Sequence, residues 1–493
     1  METNFDFYNW KHPLGLGTAL STGFLSDYFN IGPLQLLVDI VLFFEVHQPY
    51  RLRPDLHRVF PREPSFEELF YSEFDSAVFS RVAERVYRKA TKIILEASRE
   101  VPLKVTFSVS GLALEQIRRW APDVLELLRE LAARGVAEFV AQTYYHSLAW
   151  LIDLREFKEQ VALQIKAVEE LIGYRPTAAE NTEFIYNNDV ACAFAEMGFK
   201  AVATEGVDWV LGWRSPNYVY RSWGCDVRVL TRNYRLSDDV GFRFGARWWD
   251  QWPLTADKYA AWLDATPGDV VLIAVDYETF GEHHWPESGI HEFLRWLPRE
   301  VSKRPRLKFA TLTEAALRNP PRDVYDVPPW ATISWADERD LSAWLGNEMQ
   351  RNAFSVLRWL YPYARALGGD ALRLWRLLST SDHFYYQATK SGPAGEVHSY
   401  FSPYGSAYKA HDIYMNALAV LLSVIREKWR PQDAERLVFN DERCFHSEGV
   451  RLCSLGDLKR TDVEFKRRHK EDLMRWLTDV FLLDEASAEA LLK

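Results

Sequence analysis

The alternation of apolar and polar positions changes rhythm along the chain, and those changes outline the architecture. "LLVDIVLFFEV" (36–46) is a continuous apolar run ending abruptly in polar sequence. Similar short runs recur, predicting strands over 39–46, 103–110, 137–142, 177–183, 201–204, 227–231 and 270–276. Between them "SAVFSRVAERVYRKATKIILEASRE" and "FKEQVALQIKAVEELIG" carry apolar residues at helical spacing. Continuous apolar strands separated by amphipathic helices predict a parallel sheet covered on both sides. Seven of them in about 300 residues predict a barrel-like β/α domain, closed by "LKFATLTEAALRN".

The rhythm changes at both ends of this region. "HPLGLGTALSTGFLSDYFNIGPLQ" places glycines every few residues and sustains neither period, so residues 1–35 read as an extension outside the main fold. "NPPRDVYDVPPWAT" (319–332) is a proline-rich boundary. Beyond it, "DLSAWLGNEMQRNAFSVLRWLYPYARAL" and "AYKAHDIYMNALAVLLSVIREKW" are long helical patterns. The expected organisation is therefore a barrel over 36–320 and an α-helical domain over 321–493 with a C-terminal tail.

Composition narrows the function classes. A net charge of −10 argues against nucleic-acid binding, which needs a basic face. No run of about 18 apolar residues predicts a membrane span, and "METNFDFYNWKH" lacks the pattern of a secretory signal, so a cytoplasmic protein is the expectation. The richness in Arg, Glu and Tyr hints at a thermophile. Of 19 tryptophans, Trp209, Trp213, Trp248, Trp249, Trp252, Trp285, Trp335 and Trp344 sit in polar, loop-like sequence, where flat rings suit sugars. The four cysteines show neither a zinc spacing nor a disulfide framework, although Cys444 and Cys453 flank a hairpin-like stretch and could pair or stay reduced.

Candidate chemistry lies where strands run out, because catalytic groups of parallel β/α barrels gather there. The ends deliver His47-Gln48-Pro49, then Glu115 after Gly111, His146, Glu180 with Glu183, Glu205 with Asp208 and Trp209, and finally Asp276 and Glu278. "VLIAVDYETFGEHHWP" adds His283, His284 and Trp285 as a loop wall. There is no phosphate-binding glycine loop after the first strand and no zinc motif, so neither cofactor nor metal is called. Two carboxylates on separate strands are what glycosidic cleavage uses. Glu183 and Asp276 are the pair selected, because each is read at the tip of its strand. In "TSDHFYYQ" and "DLSAWLGN", Asp382 and Trp344 interrupt apolar helices and are expected to reach the barrel mouth.

"HQP", the 111–115 glycine-to-glutamate segment, Glu183 in "ENTEFIY", Asp276 in "VDYETFGEHH" and "TSDHFYYQ" resemble the five ordered motifs of glycoside hydrolase family 57. The resemblance implies an incomplete (β/α)7 barrel followed by a helical domain capping the cleft. It also implies retaining cleavage of α-glucans or maltooligosaccharides without metal, with Glu183 as nucleophile and Asp276 as acid/base. His47, Glu115, Glu278 and Asp382 match positions lining the sugar cleft, and the α-amylase branch is the closer match. 4-α-Glucanotransferase or amylopullulanase activity stands as the alternative within the family. A metal-dependent polysaccharide deacetylase, a zinc mannosidase and a non-catalytic glucan-binding protein are the rivals from outside it.

Overall fold

The computed structural model describes residues 37–56 and 64–493; the extension read over 1–35 lies outside the described residues. Ten strands form the main sheet: β1 Val38–Val46, β2 Val105–Val109, β3 Ala137–Val140, β4 Ala178–Glu180, β5 Ala201–Glu205, β6 Val219–Ser222, β7 Arg228–Arg232, β8 Val270–Asp276, β9 Leu307–Phe309 and β10 Asp323–Tyr325. Seven are parallel and close a ring. β1 pairs with β2, β2 with β3, β4 with β5, β5 with β7, and β8 returns to β1. Two seams are thin: β3 meets β4 through the bridge Ala141–Ala179, and β7 meets β8 at Arg232–Leu272. The ring is the incomplete (β/α)7 barrel, with a helical C-terminal region following it.

All seven strands read from the sequence form, several of them shorter. The largest difference is β4, which stops at Glu180, so Glu183 lies three residues beyond it in a tight turn rather than at its tip. Unanticipated were β6, antiparallel to β7, and β10, which comes from the proline-rich boundary and pairs with β6. Such three- or four-residue edge strands are too short to show a period.

Pleating decides which residues enter the ring. On β1, Ile40, Leu42, Phe44 and Val46 pack toward the surrounding helices, whereas Val41 and Phe43 belong to the interior core. Glu45 shares the parity of that interior set. The same alternation on β8 sends Val271, Ile273 and Val275 outward, with Leu272 and Ala274 inward, and so places Asp276 inside at the carboxyl end. Apolar layers fill the ring's lower part, and acids crown it.

The C-terminal helices share a core with barrel loops, since Tyr50, Leu112, Tyr145, Leu148 and Ile185 join Trp344, Leu357, Trp375 and Phe384 in one cluster. Glu156 adds a polar fastening. Its fully buried carboxylate accepts from Arg376 at 2.6 Å and Arg365 at 3.1 Å. Removing one member of such a buried pair costs roughly 3–5 kcal/mol, so this contact helps hold the helices on the barrel. Two disulfides are present. Cys444–Cys453 spans the Phe445–Leu452 hairpin, and Cys192–Cys225 ties the helix after β4 to the β6–β7 turn. The second pair, 33 residues apart, carries no signal in the sequence spacing and corrects the expectation of no framework.

Candidate active site

At the carboxyl end of the ring lies a cavity of about 700 Å³ whose walls include Glu45, His47, His146, Glu183, Asp276, Glu278, His283, Trp335, Trp344, Asp382, Tyr385 and Phe401. The two carboxylates selected from the sequence therefore share one space. Burial first, and then the charge of Glu183, push the Asp276 carboxyl up from 3.8 to about 7, although Arg232 and His146 oppose the rise. Such a group carries a proton near neutral pH and can give it away.

The Glu183 backbone has φ 62° and ψ 23°, and Phe184 follows with φ 53°. Two consecutive non-glycine residues in the left-handed region cost roughly 1–3 kcal/mol each and need support from their surroundings. That support is visible. Phe184 is buried between Phe43 and Trp335, and the Trp335 N–H donates to the Glu183 carbonyl at 3.1 Å. The turn lifts the Glu183 side chain between two donors, Trp335 Nε1 to Oε2 at 2.8 Å and Ser381 Oγ to Oε1 at 2.9 Å, with His146 Nε2 an ion-pair partner 3.5 Å from Oε1.

His47 and His146 stack with ring centroids 4.0 Å apart. They carry different charges. Burial and the His146 charge pull His47 down to about 4. Burial also opposes protonation of His146, but Glu183, Glu45 and Asp382 outweigh it and push the ring up to about 9. Neutral His47 donates from Nε2 to Asp382 at 3.0 Å, while its Nδ1 accepts from Ser110 Oγ at 2.7 Å. Burial likewise works against an ionised Asp382, yet the His47 hydrogen bond and the nearby His146 and Arg51 cations hold it well below the usual carboxylate range.

After Asp276 the chain turns instead of continuing extended, and Glu278 reaches the wall from that turn. Its Oε1 accepts from Tyr87 Oη and, at 3.3 Å, from Gln48 Nε2. Burial and the Asp276 charge push Glu278 up to about 8. Tyr87 closes a single π-helical turn, Ala83–Tyr87, a widening of the helix that often marks functional sites. The glycine of "YETFGEH" has a spatial cause: Gly281 has φ 139°, and a Cβ there would lie 2.4 Å from the Arg85 carbonyl oxygen. Only glycine lets this loop approach the helix so closely.

His47, His146, Glu183, Asp276, Glu278, His283, Trp344 and Asp382 thus line one cavity. Glu115 and Trp209 do not. Glu115 faces a neighbouring groove, accepting from Tyr144 Oη at 2.7 Å and Tyr50 Oη at 3.3 Å. Trp209 is 59% exposed on the short helix after β5. Residues that sequence reasoning passed over include the cavity-lining Glu45, Arg232, Asp238, Arg339, Tyr385 and His398, and Ser381, which donates to Glu183. Glu45 had a signal, a lone acid inside an apolar strand. Ser381 had one too, standing beside Asp382 in "TSDHFYYQ", whereas nothing in the local sequence marks Arg339. Among the described residues, no three His, Cys, Asp or Glu side chains converge as a metal site requires.

A parallel ring whose carboxyl end gathers a proton-bearing aspartate and a donor-held glutamate has the form of a glycoside-cleaving barrel, and comparison with known proteins agrees. The profile of glycosyl hydrolase family 57 matches residues 41–328, and the chain belongs to that family. A provisionally named alpha-amylase of Methanocaldococcus jannaschii is 43% identical over 390 residues, 77% of this chain and 83% of that protein. The family 57 branching enzyme of Thermococcus kodakaraensis superposes with a TM-score of 0.56 at 14% identity, covering 74% of this chain and 87% of that one. The 4-alpha-glucanotransferase of Thermococcus litoralis superposes with a TM-score of 0.53 at 19% identity, over 71% and 56% of the two chains.

Proposed function

We propose that this chain cleaves α-1,4-glucosidic bonds of starch, glycogen or maltooligosaccharides with retention, Glu183 acting as nucleophile and Asp276 as acid/base. The observation that carries the reading is the unequal pair within one cavity: Asp276 holds a proton up to about pH 7, while Glu183 accepts two hydrogen bonds and faces the His146 cation. In the first step a Glu183 oxygen bonds to the anomeric carbon, the glycosidic bond breaks, and the Asp276 proton passes to the leaving oxygen. The product is a β-linked glucosyl ester. In the second step Asp276 takes a proton from water, the water oxygen bonds to the same carbon, and Glu183 departs with its electron pair. An acceptor sugar replacing water makes the reaction a transfer, and relatives named for both outcomes support keeping that alternative. Residues 321–493 act in this reading as the cap, supplying Trp335, Trp344, Ser381 and Asp382 to the cavity wall or to Glu183.

Azide rescue tests the two roles. Asp276→Ala with an activated aryl α-glycoside accumulates the β-linked intermediate, and azide, needing no general base, releases the α-glycosyl azide. Glu183→Ala gives the β-azide, because azide enters through the vacated space. Swapped anomers by NMR would reverse the assignment. Digestion of maltoheptaose separates hydrolysis from transfer, since only transfer yields products longer than the substrate.

A further inference from the structure

At the floor of the cavity, inside the ring, two more carboxyls sit next to the apolar layers. Glu45 of β1 and Glu180 of β4 are buried, and each has one oxygen, Oε2, with no donor facing it. Ser108 and Gln142 link the two carboxyls in one hydrogen-bonded chain, and burial, then the charge of Glu180, raises Glu45 well above the usual carboxylate range. Two ionised carboxylates with bare buried oxygens would each cost about 1–3 kcal/mol or more, a cost that one proton held by the pair relieves.

The neighbouring groups fix a direction. Ser108 Oγ donates to Glu180 Oε1 at 2.8 Å. Gln142 Nε2 donates to Glu45 Oε1 at 2.7 Å and to Ser108 Oγ at 2.8 Å. With its amide nitrogen thus committed, Gln142 turns Oε1 toward His146 Nδ1 at 2.8 Å, so Nδ1 carries a hydrogen. The other ring nitrogen, Nε2, points at Glu183, so it carries one too. Glu45 Oε1 itself lies 3.6 Å from His146 Nδ1. The charged and titratable groups around this ring are Glu183 above, Glu45 and then Glu180 below, the stacked His47, and Asp382 and Asp276 across the cavity.

We infer that Glu45 and Glu180 share one proton and form the counter-charge that keeps His146 doubly protonated while Glu183 is esterified. This rests on the proposed role of Glu183. Once the ester forms, the Glu183 charge is gone, and the pair supplies the anion closest beneath His146. In the second step the bond from the anomeric carbon to Glu183 breaks with its electrons going to the carboxylate. His146 pairs as a cation with that departing carboxylate and retains its proton, while Asp276 takes the proton of water. Glu45 and Glu180 are positioning residues, acting through Gln142 and His146.

The test uses an aryl α-glycoside with a good leaving group, so that loss of the intermediate limits kcat. Glu45→Gln/Glu180→Gln removes the counter-charge, and kcat should fall at least about tenfold with KM falling alongside, leaving kcat/KM within roughly threefold. Glu180→Gln alone keeps one negative charge and should lose less kcat than the double variant. A double variant with unchanged kcat, or with kcat/KM reduced as far as kcat, overturns the inference, the second result marking a purely structural role. Histidine-selective ¹⁵N spectra give a readout independent of turnover. In Glu183→Gln, whose neutral amide mimics the ester, His146 should remain doubly protonated near neutral pH, and it should lose that proton when both lower glutamates become glutamine. A neutral His146 in Glu183→Gln refutes the inference. Mass spectrometry of the trapped intermediate distinguishes the two failures: no adduct on Glu183 sinks the reading of the site, whereas an adduct with unaffected release sinks only the role of the pair.

Discussion

Asp276→Asn should stabilise the protein as it disables it, and the gain should depend on pH. Asp276 is an acid whose pKa in the folded protein is raised, from 3.8 to about 7, by burial and by Glu183. The folded state therefore binds a proton that the unfolded state has released, and stability falls as pH rises through this interval. Below about pH 4 both states hold the proton and there is no penalty. Above about pH 7 the whole penalty applies, about 4 kcal/mol for a rise of this size. Asparagine has the same shape and no charge to bury, so it escapes the penalty. The variant should match the wild type near pH 4 and exceed it by up to about 4 kcal/mol at pH 8, a gain also limited by how well the new amide is hydrogen-bonded. Guanidinium midpoints with their m-values at the two pH values measure this. A gain independent of pH, or a loss at pH 8, would show that Asp276 is not held protonated by its surroundings. The mechanism would then lack its acid.

Two further outcomes follow from the same geometry. For maltooligosaccharides, whose leaving oxygen needs a proton, kcat/KM should fall about tenfold per pH unit above about pH 7 as Asp276 ionises, and an activated aryl glycoside should escape that fall in the same profile. Trp335→Phe removes the indole N–H that donates to Glu183 at 2.8 Å; a hydrogen bond to a charged group contributes about 1.5–3 kcal/mol, so kcat/KM on maltoheptaose should drop roughly 10- to 150-fold, and near-wild-type activity would refute the contact.

Hydrophobic patterning alone determined the architecture of the ring. A seven-residue run such as Val270–Asp276 buries on both faces, and only a strand covered by helices outside and side chains inside satisfies it. The parity that buries Leu272 and Ala274 in the interior also carries Asp276 there, so this half of the candidate pair was legible from local sequence. Glu183 was legible only as a residue. The sequence places it on an extended strand, but it stands in a left-handed turn, because Trp335 and Ser381, some 150 and 200 residues onward, hold a conformation that local preference opposes. Glu115 shows the converse. Its spacing from Gly111 is a helix signal, yet the helix rotation that satisfies the Ser110 cap turns Glu115 toward Tyr50 and Tyr144, away from the cavity. The charge on His146 was equally beyond sequence reading, since it depends on Glu183, Glu45 and Asp382 meeting from three segments far apart in the chain. Period-2 and period-3.6 patterns encode which face is buried, because burial is decided residue by residue. Protonation and backbone strain depend on distances of a few ångströms between segments far apart in the chain, and only the closed ring and the helices resting on it set those distances.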